Sequence, residues 1–322
     1  YMNIAIISLG CPKNQVDADV FCHALIKAGH QTVADPEQAD IIIVNTCGFI
    51  QSAKEEAIEN ILMACQYKQQ NPNLKVIVTG CLAERYKTQI VSEMPEVDAV
   101  VGIGSNAALP AIVERLTANG AGQVESYGPK CDMELGGARV ISTPRHYAYL
   151  KISEGCDRKC SYCAIPIITG RHISKPMEEI LDEVRYLVSQ GVKEFQVIAQ
   201  ELTYYGIDRY KKQMLPELIE RISDIPGVEW IRLHYAYPAH FPTDLFRVMR
   251  ERDNVCKYMD IALQHISDNM LQLMRRQVSK EDTYRLIEQF RKEVPGIHLR
   301  TTLMVGHPGE TEEDFEELKE FV

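Results

Sequence analysis

The chain has 322 residues, of which 45% are hydrophobic and 25% charged, the balance of an ordinary globular protein with room for two domains. Its formal net charge of −10 argues against a broad nucleic-acid footprint and suits a basic partner. The longest apolar runs, such as "IIIV" at 41–44, are far too short to span a bilayer. The N-terminal stretch lacks the basic flank and apolar core of a secretory signal, so a cytoplasmic protein with no membrane partner is expected.

In chain order, "NIAIIS", "DIIIVN", "KVIVTG" and "VDAVVG" read as short buried strands of a parallel sheet. Helical stretches lie between them, for example 52–69, where Ile58, Ile61, Leu62 and Cys65 fall on one face. This is the rhythm of a doubly wound α/β domain. From 118 to 144 the rhythm stops, and Gly120, Gly122, Gly128, Pro129, Gly136, Gly137 and Pro144 punctuate a polar stretch that reads as a linker. The expected domain boundary lies near residue 140.

The second half resumes with "HYAYLKIS". "QGVKEFQVI", "PGVEWIRL" and "PGIHLRTTLMV" then repeat a glycine that closes a helix before the next strand. A helix over 176–190 carries Ile180, Leu181, Val184 and Leu187 at helical spacing. With "YMDIALQHIS" there are five strands in strand–helix repetition, which predicts a partial (β/α) barrel. A sixth helix starts at the N-cap Thr311 and has no stop signal, so the barrel reads as truncated.

"EGCDRKCSYCAI" sets Cys156, Cys160 and Cys163 within eight residues, just after the first barrel strand and at the mouth where barrel chemistry sits. Without a secretory context, clustered cysteines read as metal-binding or catalytic rather than as disulfides. No second CxxC pair lies nearby to complete a structural zinc site. An iron–sulfur cubane gripped by three thiolates leaves one iron open for a reactant. The spacing, with aromatic Tyr162 before the last cysteine, resembles the CxxxCxxC signature of the radical S-adenosylmethionine (SAM) superfamily. That resemblance implies that SAM itself fills the remaining coordination position.

Three further cysteines, Cys11, Cys47 and Cys81, each lie just beyond the carboxyl end of a predicted strand. In open parallel sheets ligands bind at that edge. They are expected to converge on a second cluster, with the neighbouring glycines giving room for something bulky. "SLGCPKNQVD", "NTCGFI" and "TGCLAERY", followed by the barrel motif, resemble the methylthiotransferase family over nearly the whole chain. "AQELTYYGID" and "LHYAYPAHFP" are similar to the branch that modifies the β-carbon of an aspartate in a small-subunit ribosomal protein. The resemblance implies 1–140 as the N-terminal domain with the auxiliary cluster and 141–322 as the radical SAM domain. It also implies two 4Fe–4S clusters, SAM as both radical source and methyl donor, and an electron donor such as flavodoxin or ferredoxin. The acidic charge makes tRNA, the substrate of a sister branch, the weaker alternative. A non-catalytic iron–sulfur module is the distant one.

The chain departs from the family pattern at Thr169-Gly170, where Arg-Gly is common, and at Gln200-Glu201, where an aspartate commonly follows the glutamine. The family's C-terminal TRAM β-barrel is absent from this sequence. Tyr162, Gln200, Glu201, Gln264, Arg300 and Gly306 are the candidate SAM contacts. Glu201 is placed for the methionine ammonium, and Arg300 for the carboxylate through a bidentate guanidinium, although an arginine inside a strand equally fits a tie that holds the barrel together. Gly306 and Gly309 are placed for close approach to the adenine. His265 reads as a structural donor, Cys22, Cys65 and Cys256 as core filling, and Cys131 has no role.

Overall fold

The computed structural model describes residues 1–118, 122–132 and 135–322. Gly120 of the expected linker lies outside them. The chain divides into two compact units, Tyr1–Ser142 with Ile167–Gly170, and Thr143–Pro166 with Arg171–Val322. Among the described residues no helix is long and apolar enough to cross a membrane.

The first unit is a six-stranded sheet of parallel pairs. Its strands are β1 (Asn3–Ser8), β2 (Gln31–Thr32), β3 (Ile41–Thr46), β4 (Lys75–Gly80), β5 (Ala99–Val101) and β6 (Val124–Ser126), in the order β2-β1-β3-β4-β5-β6. Successive side chains of a strand point to opposite faces, so an apolar run buried on both sides needs two covering layers. Ile42, Val44, Val76, Val78 and Val100 pack with helix α2 (Gln51–Gln66) on one face. Ile41, Ile43, Ile77, Ala99 and Val101 pack with helix α1 (Pro12–Lys27) and Leu109–Thr117 on the other.

Two expectations are corrected here. Helix α2 turns Ala57, Ile61 and Ala64 to the sheet and leaves Ile58 and Leu62 exposed at 37% and 48%. Small side chains let the helix approach closely, so the buried stripe follows alanine rather than the bulkiest residues. The stretch expected to be a linker contributes β6, and its Arg139 is buried with Nη1 3.8 Å from Asp19 Oδ2. A three-residue edge strand among glycines is too short to show a period.

The second unit is a partial barrel of five parallel strands. These are β7 (Tyr147–Lys151), β10 (Glu194–Ile198), β11 (Trp230–Ala236), β12 (Val255–Ile261) and β13 (His298–Arg300), hydrogen-bonded in sequence order. Two short strands that the sequence did not reveal, β8 (Ser153–Glu154) and β9 (Ile173–Ser174), pair antiparallel and clamp the base of the loop between them. That loop carries the three cysteines. Helix Met177–Ser189 buries Ile180, Leu181, Val184 and Leu187, the expected face.

The last helix, Glu312–Phe321, starts in a capping box made by Thr311 and Asp314. The Asp314 carboxylate accepts from Ser267 Oγ, from Asn269 Nδ2 at 2.8 Å and from Thr311 N at 2.9 Å. Donation from Ser267 leads the causes that hold its carboxyl well below the usual carboxylate range. A depressed folded-state value adds stability that is complete above the unfolded value of about 4 and is lost as the pH falls below it. Asp314→Ala is therefore expected to lower stability by about 2–3 kcal/mol at pH 7 and to flatten the acid limb of the melting curve. Thermal melts between pH 3 and pH 7 check both, and parallel acid limbs for the two proteins would contradict the assignment.

Candidate active site

The strand order of the first unit reverses direction between β1 and β3, and in open parallel sheets ligands gather at the carboxyl ends beside such a reversal. Cys11 follows β1 and is the N-cap of α1, Cys47 follows β3, and Cys81 follows β4 as the first residue of helix α3 (Cys81–Arg85). The three are therefore on neighbouring loops at one edge. All three are half-buried, and among the described residues no cysteine of the chain forms a disulfide. Burial pushes the Cys47 thiol up, opposed by the N–H groups of Phe49 and Gly48.

Asn14, which the sequence did not single out, ties these loops together. Its Nδ2 donates to the carbonyls of Leu9 at 3.0 Å and Thr46 at 2.8 Å, and its Oδ1 accepts from Cys81 Sγ at 3.8 Å. One buried side chain thus touches the strand end before each of two cysteines and the third thiol itself. The only signal for it in the sequence is its place three residues after Cys11 on the first turn of α1.

The neighbouring glycines serve a different purpose from the one expected. Gly80 has φ 90° and ψ −164°, a region open almost solely to glycine, and a Cβ there would lie 2.4 Å from the Thr46 carbonyl oxygen. A Cβ on Gly10 would lie 2.5 Å from Cys47 Cβ. The space a Cβ would need at Gly10 and Gly80 is taken up by adjacent loops, so at these two positions glycine lets the cysteine-bearing loops pack against each other.

In the second unit Cys156 is buried, Cys160 and Cys163 are half-buried, and the loop is organised by charged neighbours. Burial, opposed by the Arg158 N–H at 3.4 Å, pushes the Cys156 thiol up to about 12. Burial likewise raises Cys163. Such thiols keep their protons at neutral pH unless a metal charge displaces them. Arg158 reaches Glu201 Oε2 at 3.1 Å, and Glu201 Oε1 accepts from Thr203 N at 2.7 Å. Glu201 is thus a buried, fully engaged carboxylate at 2% exposure, not a loop acid in solvent.

The other expected contacts fall into two groups. Gln200 donates Nε2 to Glu154, whose other oxygen accepts from Lys151 Nζ at 2.7 Å, while the buried Gln200 Oε1 has no donor among the described residues. That oxygen is an acceptor available to an ammonium. Gln264 adopts φ 70° and is bracketed by hydrogen bonds to Thr302 and Met304, which fixes it at the barrel mouth. Tyr162 is edge-on to His307, whose Nε2 lies 3.2 Å from Ser161 Oγ, so the loop with Gly306 borders the cysteine loop. A Cβ on Gly306 would meet nothing within 4 Å, whereas Gly309 packs against Leu273. Close approach to a ligand is therefore open at Gly306 and closed at Gly309.

Arg300 belongs to a separate network, since its Nη1 pairs with Asp260 Oδ2 at 2.6 Å, and Asp260 lies 4.0 Å from His234. His265 is buried with Nδ1 accepting from Ser267 N, which leaves Nε2 to donate to Glu310 at 3.0 Å. It is a satisfied structural donor. Cys256 is buried, Cys22 and Cys65 are half-buried, and Cys131 is exposed.

Among the described residues no three His, Cys, Asp or Glu side chains converge tightly enough for a single metal ion. The donor sets are nonetheless three soft sulfurs each, on adjacent loops in the first unit and on one clamped loop in the second. Sets of three soft sulfur donors suit an iron–sulfur cluster that keeps one iron open, whereas a structural zinc site is closed by four ligands.

A parallel partial barrel with CxxxCxxC on the loop after its first strand defines a radical SAM enzyme. Residues 150–322 match the Radical SAM superfamily, to which the chain belongs, and residues 3–102 match a family described as Uncharacterized protein family UPF0004. The chain is 69% identical to the ribosomal protein uS12 methylthiotransferase RimO of Bacteroides thetaiotaomicron, over 99% of this chain and 70% of that relative. It is 67% identical to RimO of Bacteroides fragilis, over 99% and 71%. This chain belongs to the RimO family of radical SAM methylthiotransferases. Among solved structures, the radical SAM methyltransferase TsrM of Kitasatospora setae superposes with a TM-score of 0.70 at 14% identity, over 99% of this chain and 70% of that one, a likeness of fold.

Proposed function

We propose that the chain transfers a methylthio group to the β-carbon of an aspartate in ribosomal protein uS12, using two 4Fe–4S clusters and SAM as both radical source and methyl donor. The observation that carries this reading is the presence of two three-cysteine sets, one after three neighbouring parallel strands of the first unit and one on the loop beyond the first barrel strand of the second. Cys156, Cys160 and Cys163 would hold the cluster that meets SAM, and Cys11, Cys47 and Cys81 the auxiliary one. When bound, the first supplies one electron to the sulfonium of SAM and the second supplies a site for the sulfur that is transferred.

The chain's own residues bind, orient and shield. Gln200 Oε1 offers an acceptor for the methionine ammonium, with Glu154 holding its amide. Arg158 and Thr203 fix Glu201 beneath the cysteine loop. Tyr162, Gln264 and Gly306 border the same mouth. Arg300 is assigned to the SAM carboxylate on charge alone, in competition with Asp260. Residues 1–140 and 141–322 are taken as the auxiliary-cluster and radical SAM domains, with a flavodoxin- or ferredoxin-like protein as electron donor in the cytoplasm.

The net charge of −10 supports a basic protein substrate over tRNA. Anaerobically reconstituted enzyme is incubated with uS12, with tRNA and with SAM and dithionite, and both substrates are weighed. The expected result is one methylthio group replacing one hydrogen on a uS12 aspartate and no gain on tRNA. Modified tRNA with unmodified uS12 would reverse the assignment.

A further inference from the structure

Arg276 follows helix Asp268–Leu273, 116 residues from Cys160 in sequence, and is buried to 2% exposure. A buried guanidinium is costly unless its donors and its charge are both answered. Its Nη2 donates to the Ala262 carbonyl, and its Nη1 donates to Tyr162 Oη at 3.0 Å and to Cys160 Sγ at 3.3 Å. The guanidinium stacks on the Tyr237 ring at 4.2 Å from its centroid, and Tyr237 Oη donates back to the Arg276 carbonyl at 2.5 Å. Arg158 also lies 4.2 Å from that ring centroid and discharges onto Glu201. Arg276 has no carboxylate partner among the described residues, and its buried Nε finds no acceptor.

The ring, the carbonyl and the Tyr162 hydroxyl answer the packing and two of the donors, but no carboxylate among the described residues balances the charge that is aimed at the sulfur. A thiolate-bound cluster would supply the missing negative charge. We propose that Arg276 is a positioning residue for the cubane held by Cys156, Cys160 and Cys163, and that its charge at Cys160 makes one-electron reduction of that cubane easier. This rests on the reading of the cysteine loop as a cluster site. The electron comes from a low-potential one-electron donor, which is itself oxidised by one electron. The assembly becomes one unit more negative, and no proton moves because a guanidinium stays charged throughout. A fixed cation within hydrogen-bonding distance of a ligand sulfur stabilises the more negative state more strongly.

The test is an anaerobic redox titration of the reconstituted full chain with dithionite and mediators. It follows the electron-paramagnetic-resonance signal that changes when SAM is added, with iron counted in parallel. Arg276→Met is expected to keep its iron and to bind the electron about tenfold less tightly, a shift of about 59 mV to more negative potential. Arg276→Lys, which keeps the charge, is expected to stay near wild type. An unchanged potential in iron-loaded Arg276→Met overturns the proposal. Should the methionine variant fail to load iron, Arg276→Gln keeps a neutral donor without the charge, and its potential must still fall. If every neutral variant loses the iron while lysine retains it, the charge serves assembly rather than potential, and the proposal is wrong. Wild-type protein with iron but no SAM-responsive signal would instead sink the reading of the loop itself.

Discussion

Cys156→Ala is expected to reduce SAM cleavage to the uncatalysed background and to lower the iron content of reconstituted protein from about eight to about four per chain. Of the three loop cysteines Cys156 is the buried one, and the Arg158 N–H already points at its sulfur from 3.4 Å. An iron bound there would be held on the dry side of the loop, where the thiol, pushed up to about 12, loses its proton to solvent only when a metal displaces it. The variant leaves only two cysteines on a loop clamped at its base by β8 and β9, one short of the three that a cubane with an open iron needs. Cys131→Ala, at an exposed position, is the matched control and should change neither quantity. Appreciable SAM cleavage by Cys156→Ala, with folding verified by circular dichroism, would remove the loop from the role given to it.

The parts of this molecule that could be read from sequence are those whose signal is local and periodic. Residues Ile41–Thr46 are buried throughout, and the unbroken apolar run Ile41–Val44 makes β3 legible. Its end then fixes where Cys47 stands, and the same reasoning places Cys11 and Cys81. The sequence points to the wrong face of α2 because Ile58 and Leu62 outweigh alanine in hydrophobicity, while the fold buries Ala57 and Ala64 at close approach. The short pairs β8 and β9 carry only two residues each, too few for any pattern. Arg276 and Tyr237 act on the cysteine loop through tertiary contacts, and nothing in "MRRQ" says which arginine turns inward. For Arg300 the residue type leaves a SAM contact and a barrel tie equally open, and only the fold shows which partner, Asp260 on the neighbouring strand, lies beside it.

Cys47→Ala is expected to separate the two activities: SAM is still cleaved to within a few-fold of the wild-type rate, iron falls to about four, and methylthio transfer to uS12 disappears. The argument turns on which contacts each set of thiols uses. Cys11, Cys47 and Cys81 are supported by Asn14, by Gly10 and by Gly80, all within the first unit. The loop of Cys156, Cys160 and Cys163 draws its support from Arg158, Glu201, Tyr237 and Arg276 in the second. Losing one thiol of the first set leaves every one of the latter interactions standing. Cys47 is the most informative of the three to remove because Gly10 packs directly against it, so a methyl side chain fits where the sulfur methylene was. The variant should therefore fold normally and lose only a ligand. Mass spectrometry of uS12 beside chromatography of the SAM cleavage products reads both outcomes in one reaction. Retained methylthio transfer would show that the sulfur reaches the substrate without this set of cysteines, and lost SAM cleavage would show that the two sets do not function independently.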